Sequence, residues 1–209
     1  MAASQAVTAG AETLNRVVAS VGDNAITQRD VIEEYHFELF LDGKPPTGEP
    51  NKDELHAALN RLISQTLLTE QMQRPGGAAK NGEGEKDAEE TLKAVREKFP
   101  DEQSYRAALQ SLGMTAEQVL KRLEIYERTL QMISNRLRPR ALPDPSEVDD
   151  YYTKVFVPEF KKRNSSRPPA LDQVREQIRE ILAQKKMNEL LDDWLKRLKA
   201  THRVTIHAD

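Results

Sequence analysis

The residues that could do chemistry are few and poorly placed for it. The chain has no cysteine, which excludes thiolate nucleophiles, thiolate metal sites and a disulfide framework. Its four histidines are His36, His56, His202 and His207, and none lies three or four residues from another. That spacing offers no metal-ligand pair, so each reads as a helix-face or strand-end residue. No Gly-x-Ser-x-Gly elbow, phosphate-binding Gly-Lys-Ser/Thr loop or His-Glu-x-x-His pair occurs. The carboxylate pairs Glu33-Glu34, Glu89-Glu90 and Asp192-Asp193 are adjacent within helical patterns, where neighbouring side chains diverge by about 100°. They read as solvated faces and not as acid/base dyads. Gly82-x-Gly84 follows no strand, so it reads as loop and not as a dinucleotide-binding turn. No catalytic residue, no metal and no cofactor is expected.

Composition narrows the classes further. The 209 residues suit one domain, or one domain with an extension. Charged residues make up 31% and aromatics only 5%, which points to helices with one apolar stripe and wide solvated faces. The 31 basic and 34 acidic residues give a net charge of −3 without segregating along the chain, so no nucleic-acid partner is expected. Lys161-Lys162-Arg163, the densest basic run, reads as a solvated helix end. No apolar run approaches the roughly 18 residues of a membrane span, so no integral membrane segment is expected. Met1 to Gly10 has neither a positive nor an apolar region, and as written carries no export signal.

The elements that must position any site are mostly helical. Residues 1–13 are small and polar and read as a disordered tail. Arg16 to Val21 reads as a short strand ended by Gly22-Asp23-Asn24, with Ala25-Ile26 a brief return. Thr27 with Asp30 resembles a capping box and opens a helix bearing Val31, Ile32, Tyr35, Leu39 and Phe40, stopped at Asp42-Gly43. A helix over Asn51 to Gln73 carries Leu55, Leu59, Leu62, Ile63 and Leu67 on one stripe. Gly76 to Lys86 reads as a loop. Two short helices follow, the first bearing Leu92, Val95 and Phe99, the second Tyr105, Leu109 and Leu112 up to Gly113.

Thr115 with Gln118 opens a long helix whose apolar residues, Val119, Leu123, Tyr126, Leu130, Ile133 and Leu137, follow a strict 4-3 spacing. That spacing suits a bundle helix and also a dimeric coiled coil. Pro139 and Pro143 are expected to break the chain. Asp144-Pro145-Ser146-Glu147 restarts it, and Pro158 is expected to kink or end the helix carrying Tyr151, Tyr152, Phe156 and Phe160. The last helix spans about Leu171 to Ala200 with Val174, Ile178, Ile181, Leu182, Leu190, Leu191, Trp194, Leu195 and Leu198 inward. Arg203 to Ile206 is a second strand. Strands at the two ends of a helical chain are expected to pair and join the termini.

Arg16 to Thr27, followed by Leu59-Asn60-Arg61-Leu62-Ile63-Ser64-Gln65-x-Leu67-Leu68, resembles the N-terminal region of SurA-like chaperones, exported folding factors that usually carry parvulin-type peptidyl-prolyl isomerase domains. Leu112 to Thr115, Arg136 to Pro139, Val148-x-x-Tyr151-Tyr152 and the pattern from Leu171 to Leu198 extend the resemblance over most of 14–207. It implies a mostly α fold: a helical SurA N-terminal-like chaperone domain with a small two-stranded β element joining the termini. It also implies an organisation of a helical core at 14–143, a helix and linker at 144–170 where relatives insert the isomerase domain, and a helix and strand at 171–209 completing the core. Pro158 to Leu171 leaves only a short linker, whereas an inserted domain needs about 100 residues. A chaperone module without isomerase activity is therefore expected.

The resemblance implies a periplasmic or envelope holdase whose partners are unfolded or extended polypeptides during outer-membrane protein biogenesis. A family isomerase, or an adapter dimerising through the 116–137 helix or by exchange of the C-terminal helix, is the alternative. Phe37 and Phe40, near the end of the first helix, and Tyr151, Tyr152, Phe156 and Phe160, on the helix beside the missing domain, are the candidate peptide-binding residues.

Overall fold

Alternation within Val17 to Val21 already sorts the first strand into two faces, with Ala19 and Val21 buried on one and Val18 and Ser20 half-buried on the other. The structure, a computed structural model, describes residues 16–74, 83–164 and 166–207; the expected tail at 1–13 lies outside them. β1 (Val17–Val21) pairs antiparallel with β2 (Asn24–Thr27) across the Gly22-Asp23 turn. β3 (Val204–Ile206) adds to the other side of β1, with Ser20 opposite Thr205 and Val21 opposite Val204. The termini are thus joined, but by a three-stranded sheet of order β2-β1-β3 and not the two-stranded element expected. Ala25-Ile26 belongs to a full strand, because four residues suffice when a central partner supplies the ladder.

Capping chemistry sets the helix starts. Thr27 and Asp30 bond reciprocally, with the Thr27 backbone N–H donating to the Asp30 carboxylate at 2.8 Å, and α1 (Gln28–Leu41) begins there. It stops at Asp42 and Gly43. A Cβ at Gly43 would lie 2.5 Å from Lys98 Cβ, and its φ is +73°, so glycine is required on both counts. Lys98 Nζ also donates to the Leu41 carbonyl at 2.7 Å, satisfying one orphan acceptor of the helix end. Asn51 and Glu54 form a second capping box for α2 (Lys52–Gln73). α3 (Glu83–Glu97) begins inside the stretch expected as loop, of which residues 76–82 lie outside the described ones. Gly84 is helical and passes so close to the next long helix that a Cβ would meet Arg128 Cγ at 2.5 Å. α4 (Glu102–Leu112) ends at Gly113 with φ +65°.

α5 (Ala116–Ala141) opens on the Thr115 and Gln118 capping box and runs through Pro139, where a break was expected. The proline forfeits one hydrogen bond in the last turn, while Leu137 and Ala141 on either side are buried and hold that turn. α6 (Pro145–Tyr151), a π-helical turn (Tyr152–Phe156) and α7 (Val157–Arg163) follow one another without a gap. Pro158 does not end the run. The wide turn absorbs it: the Val157 N–H reaches back to the Tyr152 carbonyl, and the ring that lacks an N–H falls at the opening of α7. α8 (Leu171–Thr201) then leads into β3.

The chain divides into two compact units. The first contains residues 1–132 and 197–209, the second residues 133–196, so α5 and α8 each contribute to both. The first unit's main core gathers Phe37, Phe40, Val95, Phe99, Tyr105, Val119 and Leu123. A smaller core in the second gathers Val148, Val174 and Ile178. The stripe read along α5 is interrupted: Tyr126 and Leu130 are exposed at 47% and 40%, whereas Met132 is buried. On α8 Val174, Ile178, Trp194 and Leu198 are buried as expected, Leu182, Leu190, Leu191 and Leu195 are partly buried, and Ile181 is exposed.

Candidate functional site

In the second unit, the local sequence builds a row of rings. Asp144 caps α6, and its N–H donates to the Glu147 carboxylate at 2.7 Å. Glu147 also accepts from Lys186 Nζ at 2.5 Å, linking the start of α6 to α8. The Lys186 hydrogen bond, helped by the Asp144 N–H, holds the Glu147 carboxyl below the usual carboxylate range. Behind the ring row lie Val148, Val174 and Ile178, with Tyr151, Tyr152, Phe156, Leu171 and Leu182 packed against them.

Tyr152 and Phe156 stack with centroids 5.7 Å apart, and Phe156 and Phe160 follow at 6.0 Å. An α-helix overshoots by about 40° every four residues, which would fan three such rings apart. The π turn undershoots over the same step, so Tyr152, Phe156 and Phe160 stay in one file. All three are partly buried, Phe160 included, and Val155 beside them is exposed. The Tyr152 hydroxyl donates to the Pro169 carbonyl at 2.8 Å, so one peptide carbonyl of the chain itself already sits on the row. Arg136 stands over the Trp194 ring at 4.6 Å in the same unit.

Phe37 and Phe40 are placed differently. They belong to the first unit, at 6% and 0% exposure, and pack in a ring cluster with Phe99 and Tyr105. Neither offers a surface to a peptide. The six aromatic candidates are therefore not brought together: two are core, and four line the second unit.

The group that spacing hid is Glu34. Expected with Glu33 on a solvated face, it is 2% exposed and is the one buried charged residue among the described residues. The inward face of α1 is Val31, Glu34, Phe37 and Phe40, a three-residue step that the apolar pattern alone could not show, because one of its members is a carboxylate. Arg122 from α5 pairs with Glu34 and stands over the Phe37 ring at 3.9 Å, while Gln65 Nε2 donates to Glu34 at 3.0 Å. Arg61 approaches Glu34 at 3.9 Å and pairs closely with Glu38. Arg61 and Gln65 lie four residues apart, on the α2 face turned to α1. Beside this network lies a polar cavity of about 510 Å³, lined by Asn24, Asp30, Glu33, Gln65, Glu70 and Arg122 among others. Its charged walls are already engaged, Asp30 with Thr27, Glu33 with Arg29, Glu70 with Asn24, and Arg122 with Glu34.

The histidines stay apart. Among the described residues no group of His, Asp or Glu could hold a metal ion. His36 Nε2 meets the Gly48 carbonyl at 2.9 Å, and His202 Nδ1 meets the Leu198 carbonyl at 2.8 Å, both local structural roles. No described helix is long and apolar enough to cross a membrane.

A family model described as the SurA-like N-terminal domain matches residues 2–132, well over half of the chain. The chain belongs to that family. Among curated proteins none matches. The matched SurA-like stretch ends at Met132, where the first stretch of the first unit also ends. The SurA-like match therefore takes in β1, β2, α1 to α4, the start of α5 and the Glu34 network, whereas β3 and the Tyr152-Phe156-Phe160 row lie beyond it.

Proposed function

We propose that this SurA-like chain is a chaperone-type holding module for unfolded or extended polypeptides, acting in the periplasm or envelope, and that it is not an enzyme. Its family membership carries the chaperone reading. The ring row in the second unit supplies a surface for it: three partly covered rings in file, with the Tyr152 hydroxyl already donating to a backbone carbonyl, suit an extended chain with little sequence demand. Tyr151, Tyr152, Phe156 and Phe160 are the binding residues of this reading. Isomerase turnover is not part of it, since lowering the roughly 18–20 kcal/mol barrier needs a pocket shaped to the twisted amide.

The test is suppression of aggregation of a denatured outer-membrane protein, run beside a prolyl-peptide isomerisation assay. Phe156→Ser with Phe160→Ser should weaken suppression several-fold and leave the melting temperature nearly unchanged. A loss of about 3–5 kcal/mol of stability instead would make the rings core and place the client surface elsewhere. Isomerisation accelerated at catalytic concentrations would defeat the non-enzymatic part.

One observation supports a second reading, self-association. Ile125, Tyr126 and Leu130 are exposed together on α5, two of them on the 4-3 stripe of a coiled-coil seam. Sedimentation of the chain and of Leu130→Glu separates the two: a dimer abolished by the glutamate favours an assembly adapter.

A further inference from the structure

The ring row of the second unit is flanked by charge that the protein leaves unanswered. From Pro145 to Ala170 all four carboxylates are engaged: Glu147 with Lys186, Asp149 with Arg175, Asp150 with Lys154 and Glu159 with Lys162. Of the five cations in the same stretch, Lys161, Arg163 and Arg167 are exposed and have no ion pair or hydrogen bond among the described residues. Their placement follows the rings. Arg163 lies three residues beyond Phe160, so it continues the face on which Tyr152, Phe156 and Phe160 stand in file. The Asn164 N–H donates to the Phe160 carbonyl at 2.9 Å, and the Pro169 carbonyl accepts from Tyr152 at 2.8 Å. Arg167 lies between these two anchors, within about 7 Å of chain from the second, which puts it beside the row. The negative end of the helical run accounts for basic residues in its last turn, Lys161 and Arg163 among them. It does not account for Arg167, which stands outside the helix.

We infer that the row and these cations form one site, which takes extended polypeptide segments whose apolar side chains are followed by acidic ones. The apolar side chains lie on the half-buried rings, and the carboxylates meet Arg163 and Arg167, with Lys161 adding charge at the rim. Arginine suits this partner, because its planar fork takes a carboxylate in two parallel hydrogen bonds. A segment with lysine or arginine at the same place meets like charge and is rejected. An anionic membrane surface offers the same charge. Tyr152 and Phe156, however, are packed against Val148, Val174 and Ile178 and are not free to insert among acyl chains, so the row fits a chain laid along it. That the row receives clients rests on the proposed chaperone function; the preference for acidic neighbours is additional to it.

The experiment titrates the full chain into a fluorescently labelled peptide, Leu-Ser-Leu-Ser-Leu-Asp-Ser-Asp with a C-terminal amide, and reads anisotropy. Versions with Asn or Lys in place of both Asp residues are the comparison probes. The Asp peptide should bind about three- to ten-fold more tightly than the Asn peptide at low salt, and the Lys peptide more weakly than either. Raising the salt from about 0.05 M to about 0.5 M should bring the Asp-to-Asn ratio toward one. Arg163→Gln with Arg167→Gln should do the same at low salt, whereas Arg163→Lys with Arg167→Lys should keep most of the preference. Lys52→Gln with Lys93→Gln, the same loss of charge in the first unit, should leave the ratio unchanged. Phe160→Ser should weaken binding of all three peptides. A ratio near one, a ratio indifferent to the arginine variants, or one lost equally in the lysine pair overturns the inference. So does arginine-dependent binding of phosphatidylglycerol vesicles with no peptide bound. If the ratio fails while the chain still suppresses aggregation through Phe156 and Phe160, the chaperone reading stands and this inference alone falls. If the ratio holds and suppression is absent, the reverse is true.

Discussion

In the first unit Phe40 meets Phe37, Phe99 and Tyr105 with ring centroids 5.5–6.4 Å apart, and all four rings are buried. In the second unit Tyr152, Phe156 and Phe160 stack at nearly the same spacing, yet each keeps part of its surface in water. Ring-to-ring distance therefore does not separate a core from a binding surface. What stands behind the rings does. The first set is enclosed by residues of α1, α3, α4 and α5, while in the second Tyr152 and Phe156 rest on the three small aliphatics Val148, Val174 and Ile178. A core ring loses a cavity's worth of energy when truncated, whereas a ring on a shallow support loses mainly its contacts with a ligand.

The strongest way to break this comparison is to remove what both units share. Residues 171–209 supply Val174 and Ile178 to the second unit, and Leu198 and β3 to the first. A chain ending at residue 170 should show no cooperative thermal transition by circular dichroism. A truncated chain that melts at the full-length temperature would show that neither core needs the helix.

The next effect belongs to the first unit alone. Glu34→Ala leaves Arg122 and Arg61 without their buried partner, a change that costs about 3–5 kcal/mol when the remaining charges stay dry. Here Arg122 and Arg61 keep 32% and 42% of their side-chain surface in solvent, so they rehydrate, and the loss should sit near the low end, about 3 kcal/mol. Glu34→Met, similar in volume and uncharged, should lose less. Urea unfolding of the two variants measures this, and a Glu34→Ala loss under about 1 kcal/mol would show the network to be peripheral.

Much of this architecture is legible in the sequence, and the illegible parts share a cause. The capping pairs Thr27/Asp30, Thr115/Gln118 and Asp144/Glu147 act within four residues, so local chemistry fixes them. The union of the two chain ends was readable because strands without partners are unstable in water. Glu34 was not readable, since its burial depends on arginines 27 and 88 residues away. Nor was the π turn, which arises from the conflict between Pro158 and the continuing helix. Of the ring candidates, Phe37 and Phe40 share their sequence pattern with Phe156 and Phe160, and only the depth of packing tells them apart.

The smallest effect sharpens the second unit's side of the comparison. Trp194 is the only tryptophan and lies in that unit, so its fluorescence reports that unit's unfolding selectively. The Glu147 carboxyl is held below its ordinary value by Lys186 and the Asp144 N–H. A group depressed in the folded state binds its proton more readily when unfolded, so its stabilisation is complete above the unfolded value of about 4.3 and fades as pH falls through the folded one. Glu147→Gln forfeits that contribution at every pH. The stability gap between the native chain and Glu147→Gln, followed by Trp194 fluorescence in urea, should therefore be small at pH 7 and close as pH is lowered from about 5 toward 3. Lys186→Met should narrow the gap at neutral pH by removing the larger cause of the shift. A gap that stays constant across this range would mean that the Lys186 contact does not distinguish the folded from the unfolded carboxylate, and that the support beneath the ring row is set by Val148, Val174 and Ile178 alone.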